Sequence, residues 1–226
     1  MVGFGTAAGP ASRGGDLPIY KDPSRPVEQR VEDLLSRMTV EEKVAQLRSA
    51  WPACRLYVKQ GAKAEMGDAL KKELTGVAMG KLGGLLRGDF FSGVTAEAAL
   101  TPGQGAELVN QIQRHIREHT RLGIPILIGD DGNHCHLGLR GTIFPSNFSM
   151  GSTWNRQLEE RIGRAIAAES RSRGQTVVYA PDLDVLRDPR FGRSDENYSE
   201  DPYLVGQMGA AMVRGLQARL STAIAA

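Results

Sequence analysis

Residues 176–203 read TVVYAPDLDVLRDPRFGRSDENYSEDPY, and the reading of this stretch decides the fold. The run Thr176–Ala180 is a candidate buried strand: short, apolar and bounded by turn formers. Pro181 stops it, because proline has no N–H to give to a ladder. The loop that follows holds Asp182, Asp184, Arg187, Asp188, Arg190, Arg193, Asp195, Glu196, Glu200 and Asp201. Pro202 then suits the first turn of a helix. A charged loop at the carboxyl end of a strand is where α/β proteins place their sites. Surface charge alone needs no function, since exposed ion pairs contribute little. Here the charges are interleaved with Phe191, Tyr198 and Tyr203 and with the turn formers Pro189 and Gly192. Aromatic rings, arginines and carboxylates in one loop suit a polar, ring-shaped ligand.

Working outward, residues 154–173 repeat Leu158, Ile162, Ala165, Ile166 and Glu169 at helical spacing, and Gly174 is placed to cap that helix. Another helix is predicted from Pro202 to about Gln217, after which STAIAA (221–226) reads as a strand beginning. Upstream, Thr101–Pro102 marks a helix start. Its apolar face carries Leu108, Val109, Ile112 and Ile116, and it runs to about His119. Ile124–Ile128 is a continuous apolar run, as in a central parallel strand. Leu82–Leu86 is a short candidate strand among glycines that precede it, the wrong order for a dinucleotide loop. Residues 63–74 are read as helical and Trp51–Pro52 as a bend. Val27, Val31, Leu34, Leu35 and Met38 outline an amphipathic helix. Thr39 and Glu42 form a capping box that opens a second one through Leu47. Residues 19–26, with two prolines, are expected to be extended, and residues 1–18 to form a flexible arm.

Strands near 84, 126, 178 and 223, separated by helices, imply a parallel sheet with right-handed crossovers. A doubly wound sheet and a barrel both fit that order. The long loops after the strands resemble barrel active-site loops.

Composition excludes several classes. The 226 residues carry a formal net charge of +2, and the arginines have acidic neighbours, so no basic stripe offers itself to nucleic acid. Two cysteines, Cys54 and Cys135, make no disulfide framework. No apolar run approaches the roughly twenty residues of a membrane span. The small, glycine-rich start is a poor signal peptide, so the chain as given reads as cytoplasmic, or as periplasmic or secreted if its start is incomplete.

A second charged cluster, GDDGNHCHLGLRGTIFP (129–145), also follows a strand. Asp130, Asp131, His134, Cys135 and His136 do not have metal-site spacing: the histidines are two apart and no further dedicated ligand follows. No metal or cofactor is expected. A carboxylate at a strand end can accept two sugar hydroxyl hydrogens. Asp130 or Asp131 can instead cap the turn, and for Asp130 the capping reading is preferred. Ser146, Ser149 and Ser152 lie in a turn-rich segment without a nucleophile elbow. Asp195 and Glu196 are adjacent, so they do not face each other across a substrate.

The run from Arg187 to Arg193, RDPRFGR, followed by Glu196, Tyr198 and SEDPY (199–203), resembles the signature of glycoside hydrolase family 3. The likeness extends through MTVEEKVAQL (38–47), GIPILIGDDGNHCHLGLRGTIFP (123–145) and STWNRQLEERIGRAIAAESRSRG (152–174). It implies an α/β fold, a parallel (β/α)8-type barrel with only the first half present. Residues 1–26 would form the arm and residues 27–226 the N-terminal part of the barrel domain. It implies retaining hydrolysis of terminal β-D-glucosidic or xylosidic bonds, with Asp131 and Arg187 binding sugar hydroxyls. Arg193, Glu196 and Tyr198 are expected to hold the loop behind them. Cys135 and Phe191 stand where the family often has glycine and tryptophan. The family's lysine–histidine pair, nucleophilic aspartate and acid/base glutamate find no counterpart, so no catalytic carboxyl is assigned. The expected partner is a β-linked oligosaccharide or glycoside. The expectation is a truncated, inactive chain whose open sheet edges favour self-association. The alternative is a non-catalytic carbohydrate-binding or interaction fragment that needs a partner chain.

Overall fold

A computed structural model describes residues 17–50, 57–76, 79–86 and 97–218. The chain divides into two compact units, Met1–Lys43 and Val44–Ala226. In the first, the segment expected to be extended instead begins with a 3-10 turn, Ile19–Lys21. The turn is fastened to helix α1 (Val27–Arg37): Tyr20 N–H donates to Asp33 Oδ2 at 3.0 Å, and Arg30 Nε donates to the Tyr20 carbonyl at 3.1 Å. Helix α2 (Val40–Gln46) spans the boundary between the units and opens with the expected capping box. Thr39 N–H donates to Glu42 Oε2, and Glu42 N–H to Thr39 Oγ1.

The second unit is built on a parallel sheet of four described strands. In the order in which they lie side by side, its strands are β1 (Ser49–Ala50), β4 (Lys81–Gly83), β5 (Leu127–Asp131) and β6 (Val177–Tyr179). The strands are laid down in chain order, each beside the last, as in the first half of a (β/α)8 barrel. Ser49 pairs with Lys81, Leu82 with Ile128, Gly129 with Val177 and Asp131 with Tyr179.

Three boundaries differ from those read in the sequence. The central strand lies three residues later than Ile124–Ile128, because Pro125 cannot join a ladder early and the two aspartates complete the strand. The strand near 84 ends at Gly83, where Gly84 turns away with φ 68°. Residues 63–74 are not one helix. Tyr57–Gln60 (β2) and Lys63–Met66 (β3) form an antiparallel hairpin, and only Asp68–Leu74 (α3) is helical. The hairpin turns through Gly61, at φ 57°, the backbone region that two-residue hairpin loops require. The bend at Trp51–Pro52 and the strand at 221–226 lie outside the described residues, as does nearly all of the arm.

Strand alternation separates two faces. Leu82 and Ile128 are fully buried under α4 (Pro102–His119), with Leu108, Ile112 and Ile116 of the helix also at 0% exposure. Each such side chain contributes roughly 1.5–3 kcal/mol by leaving water. Leu127, on the other face, is 50% exposed. β5 is therefore covered on one side among the described residues, not on both as its apolar run suggested. β6 is half-buried throughout, because among the described residues only β5 flanks it.

Beyond β5 come a short helix α5 (Asn147–Gly151), in the segment read as turns, and the long α6 (Arg156–Ser172). α6 ends in a Schellman turn at Gly174, φ 88°: Gln175 N–H donates to Ser170 O and Gly174 N–H to Arg171 O. Helix α7 (Pro202–Gln217) has Asp201 as N-cap and closes on α6. The approach is so near that a Cβ on Gly215 would lie 2.3 Å from the Glu160 carbonyl oxygen. Met150, Ile162, Ile166, Tyr198, Leu204 and Met208 form the apolar cluster between these helices.

Candidate functional site

Asp130 and Asp131 are consecutive strand residues, so their side chains leave opposite faces. Asp130 is 1% exposed. Its Oδ2 accepts from Leu86 N–H at 3.1 Å and its Oδ1 from Asp131 N–H at 3.0 Å, while its carbonyl accepts from Gln175 Nε2 at 2.9 Å. It closes the carboxyl ends of β4 and β5, the capping part expected of it. Asp131 is half-buried on the other face, in register with Tyr179. There Tyr179 crosses Gly129 so closely that a Cβ would stand 2.2 Å from its hydroxyl, and Lys81 Nζ lies 4.7 Å from its ring centroid.

The loop after β6 leaves through a cis Ala180–Pro181 peptide. Arg187 is exposed and makes no hydrogen bond or ion pair with any described residue. It lines a cavity of about 240 Å³ with Leu186, Asp188, Phe191 and Asn197. Asp188 caps a 3-10 turn, Pro189–Phe191, by accepting from Arg190 N–H, and pairs with the Arg190 guanidinium. Gly192, φ 85°, turns the chain into a second 3-10 turn, Ser194–Glu196. Arg193 and Glu196 pair across that turn, with Nε to Oε1 at 2.6 Å. The paired glutamate and the nearby Asp182 and Asp131 stabilise the charged guanidinium.

Tyr198 is 1% exposed and donates to Glu159 Oε1 at 2.7 Å. Burial, then the neighbouring carboxyl, pushes the phenol up, and burial pushes Glu159 up. Tyr198 thus pegs the loop into the α6–α7 core.

Sequence reading counted Asp182 among the charges of the loop without giving it a part, and did not weigh Asn133, Asn147 or Glu159. Asn133 Nδ2 donates to Asp182 Oδ2 at 2.6 Å and to Glu196 Oε2 at 3.4 Å. Its Oδ1 accepts from Asp182 N–H at 3.1 Å and from Asn147 Nδ2 at 3.0 Å. Asn147, fully buried on α5, also donates to the Glu196 carbonyl at 2.8 Å. Burial and the adjacent Glu196 raise Asp182, while Arg193 holds Glu196 low. One signal for Glu159 was present: it continues the buried helical positions Ile162, Ile166 and Ser170.

The histidines do not converge. His134 Nδ1 faces the Phe144 carbonyl at 3.1 Å, whereas His136 is buried beside Arg173, with its ring pushed down to about 4 by burial and that guanidinium. Among the described residues no three His, Cys, Asp or Glu side chains are grouped to hold a metal. None of the described helices is long and apolar enough to cross a membrane.

A parallel β/α half-barrel with charged loops gathered at the carboxyl ends of its strands defines part of an α/β-barrel domain. The chain belongs to glycosyl hydrolase family 3: the description "Glycosyl hydrolase family 3 N terminal domain" matches residues 39–225. It is 32% identical over 191 residues to a periplasmic β-glucosidase of Salmonella typhimurium, covering 84% of this chain and 21% of that protein. It is 36% identical over 157 residues to a β-xylosidase of Formosa agariphila, covering 59% of this chain and 22% of that one. Among solved structures, a β-glucosidase from Erythrobacter marinus superposes with a TM-score of 0.70 at 27% identity, covering 90% of this chain and 25% of that one. The chain thus spans about a quarter of the length of the relatives it matches.

Proposed function

We propose that this chain supplies the hydroxyl-binding side of a −1 subsite for retaining hydrolysis of terminal β-D-glucosidic or xylosidic bonds. The observation that carries the reading is Asp131 at the carboxyl end of β5, on the face away from the helices, with Arg187 in the next loop without a protein partner among the described residues. A carboxylate at the end of one strand and an unengaged guanidinium in the loop after the next offer acceptors and donors to vicinal hydroxyls. Arg193, Glu196 and Tyr198 hold the loop that carries Arg187.

By themselves these 226 residues turn over no aryl β-glucoside. Retention needs two carboxyl groups about 5 Å apart with the glycosidic bond between them. The pair that this loop does bring together, Asp182 and Glu196, is bridged by Asn133 and Arg193, which leaves no place for that bond. The edge of β6 away from β5 has no strand partner among the described residues, and further polypeptide pairing there would complete the site.

Titration of the chain with D-glucose and with D-xylose, followed by NMR, tests the reading. Asp131→Ala should weaken binding by about tenfold to a hundredfold, the worth of a hydrogen bond to a charged group. Unchanged sugar affinity in that variant, or turnover of an aryl β-glucoside that Asp131→Ala abolishes, would overturn the respective half of it.

A further inference from the structure

We propose that Asn133 is a positioning residue that sets the separation between the strand end bearing Asp131 and the loop bearing Arg187. The inference rests on the sugar-subsite reading above and deepens it. The backbone ladder between β5 and β6 ends at Asp131 and Tyr179, and two residues later Pro181 has no N–H with which to extend it. Asn133 takes over where the ladder stops. Its side-chain amide meets Asp182 at two points, accepting from the backbone N–H at 3.1 Å and donating to the carboxyl at 2.6 Å. This two-point clasp fixes orientation as well as distance.

The remaining capacity of the amide is also used. A primary amide has two donor hydrogens and two acceptor lone pairs. The second hydrogen of Asn133 reaches toward Glu196 Oε2 and the second lone pair takes Asn147 Nδ2. One side chain therefore joins the β5 loop, helix α5, the β6 loop and the Ser194–Glu196 turn. Asp131 lies two residues before it, and Arg187 lies five residues after Asp182, so a change of spacing at the clasp is passed to both sugar-facing groups.

The geometry makes an exchange experiment decisive. Asn133→Asp removes both donors and sets a third carboxyl against Asp182 and Glu196. Asn133→Asp combined with Asp182→Asn restores the clasp with the roles reversed: the new asparagine donates from its backbone N–H and its amide to the new aspartate. Glucose affinity of the chain would be measured by NMR titration for the wild type, the Asn133→Asp variant and the exchanged pair. Asn133→Asp should weaken binding at least about tenfold, and the exchanged pair should return to within about threefold of the wild type.

Because the second substitution also relieves the added charge, Asn133→Leu is measured beside them: it brings no repulsion and leaves no clasp, and it too should weaken binding at least about tenfold. A single variant that binds glucose as the wild type does, or an exchanged pair no better than Asn133→Asp, overturns the proposal alone. A wild-type chain that does not bind glucose overturns the subsite reading and this inference with it. If Asn133→Asp is unfolded, folding and binding regained together in the exchanged pair support the clasp, and a pair that stays unfolded overturns it.

Discussion

The loops after β5 and β6 carry similar kinds of residue and are held in different ways. In the first, polar groups are taken into the interior. His136 and Arg173 are 1% and 2% exposed and Arg173 Nη2 donates to the Leu139 carbonyl at 2.7 Å, while at the exposed rim Glu169 accepts from the Thr142 amide and hydroxyl. In the second, charges pair on the surface, Asp188 with Arg190 and Arg193 with Glu196, and Tyr198 is the buried peg. The difference teaches how a loop can be ordered without spending all of its charge. The buried tyrosine and the surface pairs order the second loop, and Arg187 stays exposed outside those pairs.

The sharpest way to break that contrast is at the seam between the two loops. A Cβ on Gly151 of α5 would sit 2.0 Å from the Tyr198 carbonyl oxygen, a backbone atom that cannot swing aside. Gly151→Ala should cost about 3 kcal/mol or more, read from the urea midpoint.

Next in size is the pH dependence of the β5 loop. His136 titrates at about 4 in the folded chain against an ordinary 6.5. As pH falls from 6.5 toward 4 the unfolded chain binds a proton that the folded one refuses, so stability is lost across that window. The loss should be on the order of 3 kcal/mol, and His136→Gln should flatten the corresponding slope in melting temperature against pH.

For the β6 loop, Tyr198→Phe removes the donor to Glu159 and should cost about 1–3 kcal/mol by chemical denaturation. Because burial raises the Glu159 carboxyl, its contribution is present at low pH and is lost as pH rises through its folded-state value. Glu159→Gln should remove that dependence. The smallest effect belongs to the surface: Asp188→Ala should cost less than about 1 kcal/mol, since the Arg190 side chain it pairs with is 89% exposed. A larger loss there would show that surface pairing does carry the second loop.

Much of this was legible in the sequence because it is written in local rules. Thr101–Pro102 marks the start of α4, Asp201–Pro202 that of α7 and Gly174 the end of α6, since caps and prolines act within a turn of themselves. The hairpin Tyr57–Met66 was not legible: Lys63–Met66 alternates exposed and buried in a stretch too short to distinguish from a helical period. The end of β5 was misjudged because charge was taken to mean loop, whereas Asp130 is a buried strand residue whose carboxyl replaces a missing ladder partner. The Asn133 clasp joins residues 49 positions apart, and no local pattern announces a side chain that continues a sheet.

The two apolar clusters have a consequence for the order of folding. The one under the first three strands of the sheet is drawn from residues between Ala50 and Ile128, and the one around α6 and α7 from residues between Phe144 and Leu216. Each is a continuous stretch of chain, so each nucleus closes over loops contained in its own segment and neither must wait for the other. Native-state amide exchange would then resolve two cooperative units meeting at the β5–β6 ladder. The carboxyl end of that ladder, where Asn133 reaches Asp182, would be among the last places in the sheet to lock.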